Sequence, residues 1–551
     1  MRRPRTHAAS LLLVTSWLAG ATLAAALPLT LAGCSERAEI WQAPASVIGP
    51  LVVGEQVVWL ERARGLLFAL DADVQSPRSY QVRVGRNATF AMLTPDKRQL
   101  LVLTAGREAI KRDQNDEPPT LSVVDAGTRG QRPEVQRAYR LPAAFDRLSV
   151  SSDGRFAIAF YDAANDKSQS GDVFRNPNEL ALLDLTAAPG NDNPRSRTLR
   201  SFGSSPLGVA FSPPTEIPAG GRSRTLALVL SRGYVTFVDM NEPTRREITV
   251  PLVTSGSEST VEPEQVVFAG QTVYLRASGA EDLYAISLEE VTPDGPQGND
   301  YSPRINQPSA GRRALDLLLV DGTTAGAPGK RLILTVNQEN DLALIDADTS
   351  QFSRIPLGEP IDTIVGVPKD NPTLALLYSR SAPRARIHFV NLENIAIALG
   401  ANVRSRSTAR PVREVVAVPG GAQALVVHDN ARAVVSLVDL IGENHTDTPI
   451  AGTLPLHSFD FVGEAQLVGV APGLSRLGVL DLTTLHPVNV RLDHAPQRVL
   501  VAGQTLVIDH GSSAGMVTLL RSADAMAGER EAGRVVWGVL LDKLLDSDLE
   551  D

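Results

Sequence analysis

The chain has 551 residues, with 53 Lys and Arg against 62 Asp and Glu, a formal charge of −9, 43% apolar residues, 5% aromatics and one cysteine. This length is too great for one ordinary core and calls for two or three domains or a repeat array. The acidic balance argues against nucleic acid as a partner, the normal apolar content argues against wholesale disorder, and a lone cysteine excludes an intramolecular disulfide and cysteine-based metal sites.

The first segment reads as an export signal. Arg2, Arg3 and Arg5 form a positive start, an apolar run follows from Leu11 to Leu31, and the small residues Ala32 and Gly33 precede Cys34. This is the n-, h- and cleavage-region order of a signal peptide. The run is also long enough to be a retained membrane helix, but the only thiol of the chain sits at the end of it. Leu31-Ala32-Gly33-Cys34, followed by Ser35, resembles the lipobox of bacterial lipoproteins. That resemblance implies cleavage between Gly33 and Cys34 and lipidation of Cys34 by more than one acyl chain (palmitate among them), enough for stable anchoring. Serine rather than aspartate after the cysteine implies the outer membrane, with the protein facing the periplasm or the surface. Residues 1–33 are then the signal peptide and 34–46 the lipidated N-terminus and tether. Loss of residues 1–33 removes three arginines and no acid, taking the charge from −9 to −12.

Beyond the tether one pattern recurs, an apolar run closing on aspartate before a polar turn. It ends at Asp71, Asp125, Asp184, Asp239, Asp346, Asp439 and Asp481, with Asn391 substituted in one copy and weaker copies ending at Ser287 and Ser522. The copies lie roughly 40 to 60 residues apart, the range of propeller blades and solenoids. A second element precedes many of them. Examples are Thr94-Pro95-Asp96-Lys97 before Leu100-Leu101-Val102-Leu103, Ser151-Ser152-Asp153-Gly154 before Phe156-Ala157-Ile158-Ala159-Phe160, and Pro419-Gly420-Gly421 before Ala424-Leu425-Val426-Val427. Each reads as strand, tight turn, strand, with Asp-Gly and Gly-Gly supplying the positive φ of short hairpins. Phe211-Ser212-Pro213-Pro214 is a longer-looped version.

Adding the strand that closes on aspartate and the one after it gives about four short strands per unit, the plan of a propeller blade. The paired segments around 151–185 and 94–125 resemble blades of the YVTN/WD40-like β-propeller superfamily over most of residues 47–525. The nearest approach to the YVTN tetrapeptide is Tyr234-Val235-Thr236-Phe237, and no Trp-Asp dipeptide ends a strand. The expected fold is all-β, a propeller of four-stranded antiparallel blades with ten candidate units. The usual ring has four to eight blades, so either some units are over-counted, or the chain forms two rings, or one large one. The Pro-, Gly- and Asn-rich segment 291–313 splits the units five and five, as an inter-domain linker between 47–290 and 314–551 or as a long blade loop. Two packed rings are favoured over one large ring. Residues 535–545 read as a closing strand or a terminal helix.

Motifs of chemistry are few. The sequence has no Gly-Lys-Ser/Thr phosphate loop, Gly-x-Ser-x-Gly elbow or His-Glu-x-x-His pair. The repeated aspartates are expected to accept backbone N–H bonds in the turns after their strands, because an active site needs its residues only once. No catalytic or cofactor-binding residue is assigned, and no cofactor. His428-Asp429 and Asp509-His510 each follow an apolar strand, in loops that would open on one face of a propeller. They are the candidate ligands of a divalent ion or an acid–base pair, though two solvated loop tips explain them as well. Arg232, Arg380 and Arg384 occupy loops of the same class and suit an anion. Residues 113–117 and 162–166 are polar, acidic loops, and the second lacks the glycine and closing glutamate of a calcium loop.

Two functions fit. One is a membrane-anchored, non-catalytic scaffold that binds a protein or cell-envelope component through its loops. The alternative is an exported propeller enzyme, lactonase-like or quinoprotein-like, working through His428, Asp429, Asp509 and His510. The missing constellation of acids and bases favours the scaffold.

Overall fold

The computed structural model describes residues 46–540 except 108–115, 127–128, 163–175, 200–205, 218–219, 253–260, 296, 370, 430–433, 442–444, 454 and 530–531. Cys34, the export segment, most of the tether, residues 113–115 and 163–166 of the acidic loops and the tail from 541 lie outside the described residues.

The described residues form ten four-stranded antiparallel sheets arranged in one ring, a ten-bladed β-propeller. The blades span residues 47–83, 88–140, 147–198, 208–251, 262–306, 314–356, 363–407, 412–451, 458–491 and 498–536. Within each blade the strands pair in chain order. Among the described residues, blade 4 alone carries an extra hairpin, Thr215–Glu216 with Ser223–Arg224, between its first and second strands.

Burial explains the plan. Second and third strands are apolar and enclosed on both faces, as in Leu226–Ser231 and Leu66–Asp71. First strands are half-buried, and those of neighbouring blades touch around the axis. Fourth strands are the most exposed, as in Glu134–Arg140, where exposed and half-buried residues alternate. Side chains alternate across a strand, so each blade packs in both directions. Leu101 and Leu103 of blade 2 join Ala157, Ala159 and Leu183 of blade 3, while Leu100 and Val102 join Val58, Leu60 and Leu67 of blade 1.

Closure uses the same packing. Val57, Trp59 and Phe68 of blade 1 form one cluster with Val507, Val517 and Leu519 of blade 10. Arg498 donates to the Gly49 carbonyl at 3.4 Å and Arg534 to the Gln75 carbonyl at 2.5 Å. Every blade is built from consecutive strands, so side chains rather than an exchanged strand seal the ring.

The expected division into two rings is corrected here. Tyr274, Ala285 and Ala314, Leu317, Ile333 share a cluster across blades 5 and 6, so the array continues through the proposed break. Segment 291–313 contains Tyr301–Asn306, the outer strand of blade 5. The loop before it is pinned to blade 4. Arg224, 3% exposed, holds Asp239 at 2.5 Å and Asp300 at 2.6 Å, and Arg245 holds Asp300 at 3.1 Å. Asn299 adds a bond to the Arg246 carbonyl at 2.6 Å. At the C-terminus, Arg534–Val536 is the outer strand of blade 10, preceded by the short helix α1 (Ser522–Met526).

Strand direction defines two faces. The chain enters at Ser46, and the loops between second and third strands, together with the links between blades, lie on that proximal face. Loops between first and second and between third and fourth strands lie on the distal face.

Candidate functional site

The seven repeated aspartates end third strands and belong to the distal face. Asp481 accepts the Thr483 and Thr484 N–H groups at 2.8 and 2.9 Å. Asp346 accepts those of Asp348 and Thr349, Asp239 those of Asn241 and Glu242, Asp184 that of Thr186 and Asp439 that of Ile441. Asn391 accepts the Glu393 N–H at 2.9 Å in the same way. The other two reach further. Asp71 accepts from Gln56, Tyr80 and the Gly130 N–H, and Asp125 from Gln136. The Thr484 N–H holds the Asp481 carboxyl below the usual carboxylate range. Burial pushes Asp184 up, but the Thr186 hydroxyl and N–H and the Arg155 guanidinium outweigh it and leave the group lowered.

His428 and His510 lie on the proximal face, as the loop class predicts, but on blades 8 and 10 with blade 9 between them. Both are buried and both do the same job. His428 Nδ1 donates to the Arg410 carbonyl at 3.0 Å while its Nε2 accepts the Ser436 hydroxyl at 2.8 Å. His510 Nδ1 donates to the Ala495 carbonyl at 3.2 Å while its Nε2 accepts the Thr518 hydroxyl at 2.8 Å. A carbonyl can only accept, which fixes the proton on Nδ1. Asn337 makes the equivalent clasp on blade 6, donating to the Ala310 carbonyl at 2.8 Å. Each of these side chains ties the end of a second strand to the link before its own blade. Burial drives the pKa of both imidazoles down. Burial also pushes Asp509 up, partly offset by the Gly511 N–H. The Asp429 backbone N–H bonds the Pro411 carbonyl at 2.9 Å. Among the described residues, no group of three His, Cys, Asp or Glu comes together as a metal site.

A third histidine, His388, is 1% exposed and donates from Nε2 to Glu359 at 2.7 Å while accepting from Ser405 at 2.8 Å. Of the candidate arginines, Arg232 pairs with Glu262 at 2.7 Å, Arg380 donates to the Tyr378 hydroxyl at 3.1 Å, and Arg384 is exposed.

The inner strands carry a feature that sequence reasoning missed. Asp316 on blade 6 accepts Gln265 of blade 5 at 2.8 Å and the Ile364 N–H of blade 7 at 2.8 Å. Asp460 on blade 9 accepts the Val501 N–H of blade 10 at 3.0 Å, and Ser458 accepts the Val499 N–H at 3.2 Å. In two bulged first strands the bulged side chain reaches the link ahead. Thr89 bonds the Phe145 carbonyl at 2.7 Å and Arg413 the Leu456 carbonyl at 2.8 Å. The available signal was a single acid inside an apolar inner strand, as in Leu315-Asp316-Leu317 and Phe459-Asp460-Phe461.

The distal face bears exposed apolar side chains. Ile397 and Ile441, 73% and 68% exposed, sit on the third-to-fourth-strand loops of adjacent blades 7 and 8, and Phe352 opens the outer strand of blade 6. The backbone under Ile397 is fixed, because the Asn394 and Ala396 N–H groups bond the Thr324 and Ala325 carbonyls of blade 6 at 3.0 and 3.1 Å.

These features define a ten-bladed propeller with polar clasps between its blades. No protein-family model matches the chain, and no curated protein matches it in sequence. Among solved structures it is similar to the dihydro-heme d1 dehydrogenase NirN in complex with DHE, at 12% identity and a TM-score of 0.38, over 83% of this chain and 79% of that one. It is also similar to a eukaryotic initiation factor, at 12% identity and a TM-score of 0.40, over 74% of this chain and 89% of that one. Similarity this distant carries no functional argument.

Proposed function

We propose that the protein is an exported lipoprotein, acylated at Cys34 and held at the bacterial outer membrane, whose ring is a non-catalytic scaffold for a protein or cell-envelope component. The observation that carries the scaffold reading is the pair Ile397 and Ile441, bare apolar side chains presented on the distal face from loops of adjacent blades. Exposed isoleucine costs solvation that a partner would recover, each side chain offering about 1.5–3 kcal/mol on full burial. The alternative enzyme requires free imidazoles at His428 and His510. Both nitrogens of each ring are spent on the fold.

Two measurements test this. Cys34→Ser should leave the precursor uncleaved or release the protein from membranes; unchanged fractionation and processing defeats the anchor. A photo-crosslinking residue at 397 or 441 in cells should trap one discrete species that is absent when Lys97, elsewhere on the distal face, carries the probe. Equal or no trapping at all three positions defeats the binding face.

A further inference from the structure

The proximal face, at which the chain enters the ring, is chemically uneven. Blade 7 and the link after it, residues 363–411, contain seven Lys and Arg against two Asp and Glu, in a chain whose net charge is −9. Arg380 and Arg384 lie on the second-to-third-strand loop and Arg410 on the link to blade 8, all on the proximal face. Of the acids beside them, Glu414 lies near Arg380, and Asp362 and Glu359 are occupied by neighbouring groups. Asp362 accepts the Arg380 N–H at 2.7 Å, the Ser379 hydroxyl at 3.1 Å, and the Ser381 N–H at 2.9 Å. Glu359 is taken up by His388 and Arg386. Among the described residues, neither Arg384 nor Arg410 pairs with a carboxylate, and Asp429 on the next loop is outnumbered. Blades 5 and 6 differ, for there Arg312 and Arg313 are matched by Glu339 and Glu264, each at 2.9 Å.

Two exposed apolar side chains continue this arc on the same face. Leu474 stands on the second-to-third-strand loop of blade 9, and Trp537, 61% exposed, follows the last strand of blade 10 beside His494. Blade 1, where Ser46 enters, comes next. Guanidinium groups suit phosphate oxygens, and tryptophan suits the boundary between headgroups and water.

We infer that the proximal face from blade 7 through blade 10 docks on an anionic lipid bilayer, with Arg380, Arg384 and Arg410 meeting headgroup phosphates and Leu474 and Trp537 entering the interface. The geometry rests on the tether proposed at Cys34. The eleven residues between Cys34 and Ser46 span at most roughly 36–40 Å when extended, so an acylated cysteine keeps the bilayer within reach of the face from which the chain emerges. This docking leaves the distal face, with Ile397 and Ile441, directed away from the membrane.

The test uses the mature chain from Ser35, without lipid. It retains all ten blades, since every described strand lies between residues 47 and 536. It should sediment with vesicles of phosphatidylcholine containing about one-third phosphatidylglycerol, not with phosphatidylcholine alone, and should be released by about 0.5 M salt, where screening shortens the reach of charge. Arg384→Gln with Arg410→Gln should weaken binding about 25-fold, about five-fold for each basic side chain at the surface. Lys97→Gln with Arg98→Gln, an equal charge loss on the distal face, should leave it unchanged. No binding to either vesicle, equal binding to both, or equal loss in the two double variants overturns the inference. Precursor processing of Cys34→Ser, and its membrane fractionation in about 0.5 M salt where docking is lost, report on the tether separately, so the two ideas fail independently.

Discussion

The carboxylate of Asp316 leaves blade 6 to accept the backbone N–H of Ile364 in blade 7 at 2.8 Å. It also takes Gln265 from blade 5, so one side chain spans three consecutive blades. Bonds to a charged acceptor contribute about 1.5–3 kcal/mol, and their loss strands buried donors. Asp316→Ala should therefore cost about 3 kcal/mol by urea denaturation, well above an exposed acid such as Asp192 replaced in the same way. Equal costs would show that the clasp contributes little.

The turn aspartates should behave differently. Asp481→Ala removes two local N–H bonds and should cost about 1 kcal/mol, the scale of a lost cap. Asp184→Ala should cost about as much and leave partner binding unchanged. The carboxyls of both are lowered, so their stabilising contribution is present above pH ~4 and lost as pH falls through the folded-state value.

His428 and His510 carry an earlier acid response. Their folded-state pKa values lie below the ordinary histidine value because burial disfavours the imidazolium. The unfolded chain therefore binds protons first, and stability should decline as pH falls below about 6.5. Asp509, raised by burial, acts in the opposite sense. Thermal unfolding between pH 8 and pH 5.5 should show the decline, and His428→Asn with His510→Asn should reduce it, the remainder belonging to His388, which burial also lowers. Asparagine is the chosen replacement because Asn337 makes the same clasp on blade 6. A double variant with the wild-type pH profile would refute the assignment.

The Arg224 network fixes the loop before the outer strand of blade 5. Arg224→Met should cost about 3 kcal/mol, since breaking a buried pair leaves Asp239 without its partner. Amide exchange in residues 297–300 should rise, because Asp300 loses its 2.6 Å contact. Unaltered exchange there would mean that Arg245 holds the loop unaided.

Blade 9 contains a packing defect. Gly469 and Gly478 face each other across its second and third strands and line a small apolar cavity with Leu456, Leu467 and Leu480. Gly478→Ala should stabilise the protein by about 0.5–1 kcal/mol, through the restricted unfolded chain and the filled space. Gly469→Ala should not, because a methyl group there would lie 2.3 Å from Leu456. Denaturation midpoints of the two variants check the contrast.

Much of this architecture was legible in the residues. Runs such as Leu180 to Asp184 and Val435 to Asp439, closing on an acid, located the third strands Glu179–Asp184 and Val434–Asp439, because strand side chains have period 2 and the following turn wants a short acceptor. Asp316 and Asp460 were not singled out. An acid within an apolar strand looks like an interruption until the neighbouring blade supplies the N–H it accepts. His428 and His510 looked like paired site residues because their loops are equivalent. Their partners, Arg410 with Ser436 and Ala495 with Thr518, come from strands and links that only the fold brings near.

The sequence by itself determined the blade plan and offered ten candidate units, since local alternation and turn chemistry mark each one. Whether ten units close once or twice was decided by tertiary structure. Closure depends on the angle at which each sheet packs on the next, set by side-chain volumes at interfaces such as Trp59 and Phe68 against Val517 and Leu519. These residues lie more than 440 positions apart, and no local pattern in either segment specifies that they meet.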